Sequence, residues 1–337
     1  MIPRSAPARP RAEWQSILAA SVTDPAELLR RLRLDPALLP AARAAAAAFP
    51  LRVPEPWLAR IRPGDPCDPL LLQVLPLGAE TQPQPHGYRA DPLGESEALA
   101  APGLMRKYRS RALLLATGAC AIHCRYCFRR HFPYAEAAAA GRWEAALAWL
   151  RAHPEVDEAI LSGGDPLALP DGRLAALAAA LESIAHLRRL RIHTRLPVAI
   201  PQRVDAALCA WLDGLARLRP VVVVHVNHPR EIDGAVAAAF GRLRACGATL
   251  LNQSVLLRGV NDDAETLAEL SFRLFEAGVL PYYLHLLDPV AGAAHFEVPE
   301  PEARRLHAAL AASLPGYLVP RLAREVPGAP AKTLLGV

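Results

Sequence analysis

Lysine is almost missing from this chain of 337 residues. Lys107 and Lys332 are the only two, so arginine carries most of the positive side of a +5 net charge. No block of like charges is long enough to read as a nucleic-acid-binding arm. The arginines are scattered over helical stretches and read as solvated faces. No apolar run approaches membrane-spanning length, because Arg, Pro and Gly interrupt throughout, and the opening MIPRSAPARPRAEW has no apolar signal core. Neither nucleic acid nor membrane is an expected partner. A disulfide pattern is missing too: Cys67, Cys209 and Cys246 stand apart, and the other three of the six cysteines crowd together. Reduced thiols and a cytoplasmic location are expected. A chain of this length can bury a large core in one or two domains.

The crowded trio lies in residues 111–134, RALLLATGACAIHCRYCFRRHFPY. Cys120, Cys124 and Cys127 are spaced C-x3-C-x2-C, directly after an apolar run, 112–116, that reads as a buried strand. A closed structural site wants four ligands. Three leave one iron of a 4Fe-4S cluster without a protein ligand, open to a substrate or cofactor. Two other readings stand beside this one. Zinc would take His123 or His131 as a fourth ligand, or the cysteines are plain buried thiols.

The first hundred residues read as an accessory region. Asp24 can cap a helix running through Leu28, Leu29 and Leu32, and 42–49 is a second helical piece. Prolines are dense from Pro54 to Pro92, so irregular, extended chain without chemistry is expected there, packed outside a catalytic domain. From Arg111 short apolar strands (112–116, 158–161, 190–193, 221–226, 249–256 and 281–286) alternate with helical stretches (143–152, 173–185, 204–215, 233–245 and 264–277). That alternation predicts an α/β fold of parallel strands with helices outside. Six units suggest a partial (β/α)6 barrel. The strands run out into Cys120, Ser162-Gly163-Gly164-Asp165, His193-Thr194-Arg195, His225 to His228, Asn252-Gln253-Ser254, and His285 to Asp288. Polar groups at six such ends argue for one shared cavity. Gly163 and Gly164 let the backbone approach a ligand closely. Residues 317–322 read as a further strand. Lys332, in a Pro/Gly-rich stretch, reads by itself as a solvated tail lysine.

With SGGDP after the cysteines, the chain resembles the radical S-adenosylmethionine (SAM) enzymes. CRYCFRRHFPY, LRIHTRLPVAIP, HVNHPREID, LNQSVLLRGVND, PYYLHLLD and AGAAHF resemble the lysine 2,3-aminomutase family. VTDPAELL, LRVPEPW and DPLLLQVLP extend the likeness over nearly the whole chain, toward the branch that supplies β-lysine for elongation factor P. The resemblance implies an isomerase turning L-α-lysine into (R)-β-lysine, with an electron donor and a separate ligase as functional partners. It implies an accessory region 1–103, a core barrel 104–290, and a segment 291–337 that closes the site. It also implies that Cys120, Cys124 and Cys127 hold the 4Fe-4S cluster, and that Ser162, Gly163, Gly164 and Asp165 lie against the methionine part of SAM. Lys332 matches the lysine that forms a Schiff base with pyridoxal phosphate (PLP), overriding the solvated-tail reading. Lys107 and Arg111 match positions that receive its phosphate. Lys107 stands where arginine is common and lacks the bidentate fork. Arg129 matches the partner of the substrate carboxylate. Asp288 and Glu325 match the acidic pair for the ε-ammonium, with Glu325 one methylene longer than the usual aspartate. The chain stops soon after Lys332, where longer relatives continue into oligomer contacts, so a monomer or weak dimer is expected.

Overall fold

The computed structural model describes residues 12–134 and 143–335, so most of the opening stretch read for a signal lies outside the described residues. One sheet of ten strands runs in sequence order. It opens with β1 (Leu99–Ala101), β2 (Leu104–Tyr108) and β3 (Arg111–Thr117), paired antiparallel in turn. From β3 every pairing is parallel, through β4 (Glu158–Gly163), β5 (Arg189–Thr194), β6 (Arg219–Val224), β7 (Thr249–Val255), β8 (Leu280–His285) and β9 (Arg321–Arg324). β10 (Thr333–Leu334) returns antiparallel on β9.

The six expected strands are all present, and the α/β class and partial barrel stand. Two details differ. The parallel set has a seventh member, β9. The strand expected over 317–322 begins only at Arg321, because residues 316–318 form a 3-10 turn ahead of Pro320. Pro320 has no N–H to offer a ladder, so it stands just outside the strand.

Each expected helix between strands is also present: Glu144–Ala152, Asp171–Glu182, Ala206–Asp213, Gly234–Ala245 and Ala264–Glu276. Three start by one device. Asp205, Asp233 and Asp263 each accept a backbone N–H from the residue three positions on, satisfying an orphan donor of the first turn. The helices bury Leu174, Leu177, Leu208, Phe240 and Leu243 against Leu161, Leu190, Ile192, Val222 and Val224 of the sheet. A smaller core joins Leu284, Leu286 and Leu322 to Leu306 and Leu310, on a helix Glu300–Ser313 that sequence reading did not find.

The N-terminal region is more ordered than its prolines suggest. Asp24 does cap Pro25–Arg31, and Leu39–Ala48 follows. Between Pro54 and Pro92 the chain is largely irregular, as expected, but short helices, Glu55–Leu58 and Pro69–Leu72, interrupt it. In each, proline sits in the first turn, where a missing N–H costs nothing. No helix among the described residues is long and apolar enough to cross a membrane.

Candidate active site

The strands surround one cavity of about 610 Å³. β5 shows how a polar interior arises. Leu190, Ile192 and Thr194 are buried, while Arg191 and His193 alternate onto the less buried face and line the cavity. Cys120, Cys124, Cys127, Ser162, Gly163, Gly164, Asp165, Lys107, Arg111, Arg129, Asp288, Glu325 and Lys332 all line it. So do His193, Thr194, Arg195, His225, Gln253 and His285. Asn227, His228, Asn252 and Ser254 were grouped with these by sequence but are not part of the lining. Strand alternation turns Asn252 and Ser254 away from Gln253. Asn252 instead bonds Val226 through its N–H and carbonyl, and the Ser254 hydroxyl donates to Val226 O.

The cysteine loop is anchored by buried charge. Arg125 pairs with Glu80 and donates to Phe49 O at 2.8 Å, while the Arg125 amide donates to Gln73 O. Burial, then the neighbouring Cys127, Asp165 and Cys124, raise the Cys120 thiol well above its ordinary range. Burial and Cys124 push Cys127 up to about 11. Both groups are therefore held as neutral thiols, and a cationic centre would have to displace their protons to bind there. The histidines do not join them: His123 bonds Pro50 O at 2.8 Å and His131 bonds Ala291 O at 3.0 Å. Neither histidine lines the cavity that the thiols face, so neither stands beside them as a fourth ligand. Among the described residues, no three or more His, Cys, Asp or Glu side chains are set to grip a single ion. Three thiols without histidine are the donor set of a cluster with one open iron.

At the end of β4, Gly163 has φ of +113°, and a Cβ there would lie 2.5 Å from Thr117 O. A Cβ on Gly164 would collide with Ala119 O. Only glycines let this backbone lie against the cysteine loop. Asp165 lines the cavity, but its carboxylate is committed to protein. Oδ1 accepts from Leu167 N at 3.0 Å and Thr194 Oγ1 at 2.7 Å; Oδ2 accepts from Arg195 N at 2.7 Å and Leu196 N at 3.0 Å. Its geometric role is to clamp the ends of β4 and β5 together.

Opposite charges alternate along the rest of the wall. Arg129 donates to Glu95 from Nε at 2.6 Å and Nη2 at 2.9 Å, and its Nη1 donates to Ser162 Oγ and Gly163 O. Lys107 lies 3.2 Å from Glu95 and 3.5 Å from Glu325. Glu325 pairs in turn with Lys332 and accepts from the Tyr108 hydroxyl at 3.0 Å. A hairpin makes the last pair: Arg324 faces Thr333 in the β9–β10 ladder, which puts Glu325 across from Lys332. Gly328, at φ +76°, turns the chain between them. Burial works to raise the Glu325 carboxyl, but Lys332, Lys107 and Tyr108 outweigh it and bring it down to about 2. Asp288 receives less help. Burial raises it to about 7, opposed by Lys332. Arg111 stacks on Tyr108, Cζ 4.2 Å from the ring centroid.

Sequence reading missed Glu95, and with it the reach of the first hundred residues into the cavity. Glu95 is 3% exposed, a rare state for a carboxylate and explained by its two cations. The amine of Lys332 beside Lys107 and Arg111 suits PLP, whose aldehyde and phosphate need those groups. The glycine cradle beside the thiols suits SAM.

The chain is similar to known proteins over nearly its whole length. The Radical SAM superfamily model matches residues 114–270. An L-lysine 2,3-aminomutase of Haemophilus influenzae is 49% identical over 335 residues, 99% of this chain and 98% of that protein. That of Escherichia coli is 52% identical over 327 residues, 96% of this chain and 95% of that protein. That of Clostridium subterminale is 36% identical over 280 residues, 82% of this chain and 66% of that protein.

Proposed function

The chain belongs to the lysine 2,3-aminomutase family of radical SAM enzymes, and from that premise we propose how its cavity divides the work. The reaction moves the α-amino group of L-lysine to the β-carbon, giving (R)-β-lysine. When bound, the cluster with SAM supplies a primary alkyl radical able to take an unactivated C–H hydrogen, and PLP supplies the unsaturated group through which nitrogen migrates.

Cys120, Cys124 and Cys127 would hold the cluster. Ser162, Gly163 and Gly164 would lie along SAM, with Asp165 fixing their backbone. Lys332 would hold PLP, and Lys107 and Arg111 its phosphate. Arg129 would receive the substrate carboxylate. Four of its five N–H groups are engaged by Glu95, Ser162 and Gly163, so the guanidinium is fixed and one N–H on Nη2 remains to donate. Glu325 and Asp288 would receive the ε-ammonium. Until then the Lys332 ammonium occupies Glu325. Glu325 would exchange that ammonium for the substrate's, keeping Lys107 and the Tyr108 hydroxyl on its other oxygen.

The observation that supports this reading most is that the thiols and Lys332, far apart in the chain, open into one cavity. The accessory, core and closing segments (1–103, 104–290 and 291–337) are part of the same reading. The N-terminal motifs support delivery of the product to elongation factor P through a separate ligase, with an electron donor to reduce the cluster. The test is anaerobic incubation of reduced enzyme, SAM and PLP with lysine, arginine or glutamate. β-Lysine from lysine is expected; turnover of glutamate alone would refute the assignment.

A further inference from the structure

Arg195 has no part in the reaction as described, yet it touches a cysteine of the trio. It follows β5 and is 6% exposed. Its Nη1 donates to Cys124 Sγ at 2.8 Å and to the Tyr126 hydroxyl at 2.7 Å. Its Nη2 donates to Gln73 Oε1 at 2.5 Å and Glu231 Oε2 at 3.1 Å. The Trp57 ring stacks on it, centroid 4.5 Å from Cζ. The partners are themselves tied down. Gln73 accepts from Tyr126 and Asn227, and Glu231 accepts from Gln73 and from the amides of Asn227 and His228. Arg195 therefore cannot swing away from the sulfur without breaking several buried hydrogen bonds.

We propose that Arg195 is a positioning residue that tunes the cluster, a fixed cationic N–H donor to the Cys124 sulfur that raises the cluster's reduction potential. Reduction adds negative charge, and part of it spreads onto the sulfurs. A charge-assisted donor at sulfur stabilises the reduced form more than the oxidised one. Glu231 offsets this only in part, because three other donors share its carboxylate. The N-terminal region thereby acquires a role: through Trp57 and Gln73 it holds the guanidinium against the sulfur. The inference rests on Cys124 being a cluster ligand.

The test uses full-length protein reconstituted anaerobically, assayed first for iron and sulfide. The reduction potential of wild type, Arg195→Lys and Arg195→Gln is then measured by titration monitored by electron paramagnetic resonance. Arg195→Gln is expected to lower it by a tenfold change in the reduction equilibrium, about 59 mV for one electron. Arg195→Lys, which keeps the charge, is expected to shift less. An unchanged potential in Arg195→Gln overturns the proposal. Where Arg195→Gln fails to fold, wild type and Arg195→Lys decide. With arginine ¹⁵N-labelled at the guanidinium, pulsed resonance of the reduced cluster should show a nitrogen coupling that Arg195→Lys loses, and a spectrum unchanged in Arg195→Lys overturns the proposal. Iron- and sulfide-free wild type instead removes the cluster assignment itself.

Discussion

Glu95 grips Arg129 at two points, Oε2 to Nε at 2.6 Å and Oε1 to Nη2 at 2.9 Å, with both side chains under a tenth exposed. Removing one partner of such a pair strands a buried charge. Glu95→Ala is expected to lower the unfolding free energy by about 3–5 kcal/mol. Urea denaturation under anaerobic conditions measures it. A loss of about 0–1 kcal/mol, the worth of an exposed pair, would contradict the account.

Asp288 makes a pH prediction. Burial raises its carboxyl from 3.8 to about 7, so the folded protein holds this proton more tightly than the unfolded chain. Its contribution favours folding fully below pH 3.8 and is lost as pH rises toward 7. Asp288→Asn should flatten that decline in stability. Lysine affinity should rise as pH passes through about 7, where Asp288 ionises and can receive an ammonium. Isothermal titration across this range checks the slope, and an equal slope in Asp288→Asn counts against it.

The scarcity of lysine makes the PLP assignment unusually clean. Only two side chains can form a Schiff base, and both line the cavity. Lys332→Ala should abolish the visible absorbance of lysine-bound PLP. Lys107→Ala should keep the band but need more PLP to saturate it. A full band in Lys332→Ala would move the cofactor to Lys107.

Gly163→Ala forces an L-residue to a φ of +113° with its Cβ against Thr117 O. A cost of about 1–3 kcal/mol in stability is expected. SAM binding, measured by equilibrium dialysis, should weaken by tenfold or more in Gly163→Ala and Gly164→Ala. Unaltered affinity in both would separate this turn from the cofactor.

Much of the frame was legible because it is local. Strand–helix alternation from β3 to β8 is written in apolar periodicity, and the cysteine spacing sits within eight residues of chain. Lys332 was legible only through resemblance, since its Pro/Gly surroundings suggest a free tail. What makes it a cavity residue is a ladder contact between β9 and β10. Glu95 and Gln73 left no local trace. Their partners, Arg129 and Arg195, lie 34 and 122 residues away. Such a partner can be read only once the fold closes. The helix Glu300–Ser313 has Pro299 at its N-cap and Pro301 in its first turn, a start that the strand–helix alternation does not announce.

The central claim is that hydrogen abstraction beside the thiols and nitrogen migration beside Lys332 share one chamber. The direct measurement follows deuterium from the β-carbon of labelled lysine during anaerobic turnover. The account predicts deuterium at the 5′ carbon of recovered SAM together with β-lysine, and neither with Cys124→Ala. β-Lysine formed without label in SAM, or unchanged turnover by Cys124→Ala, would contradict it.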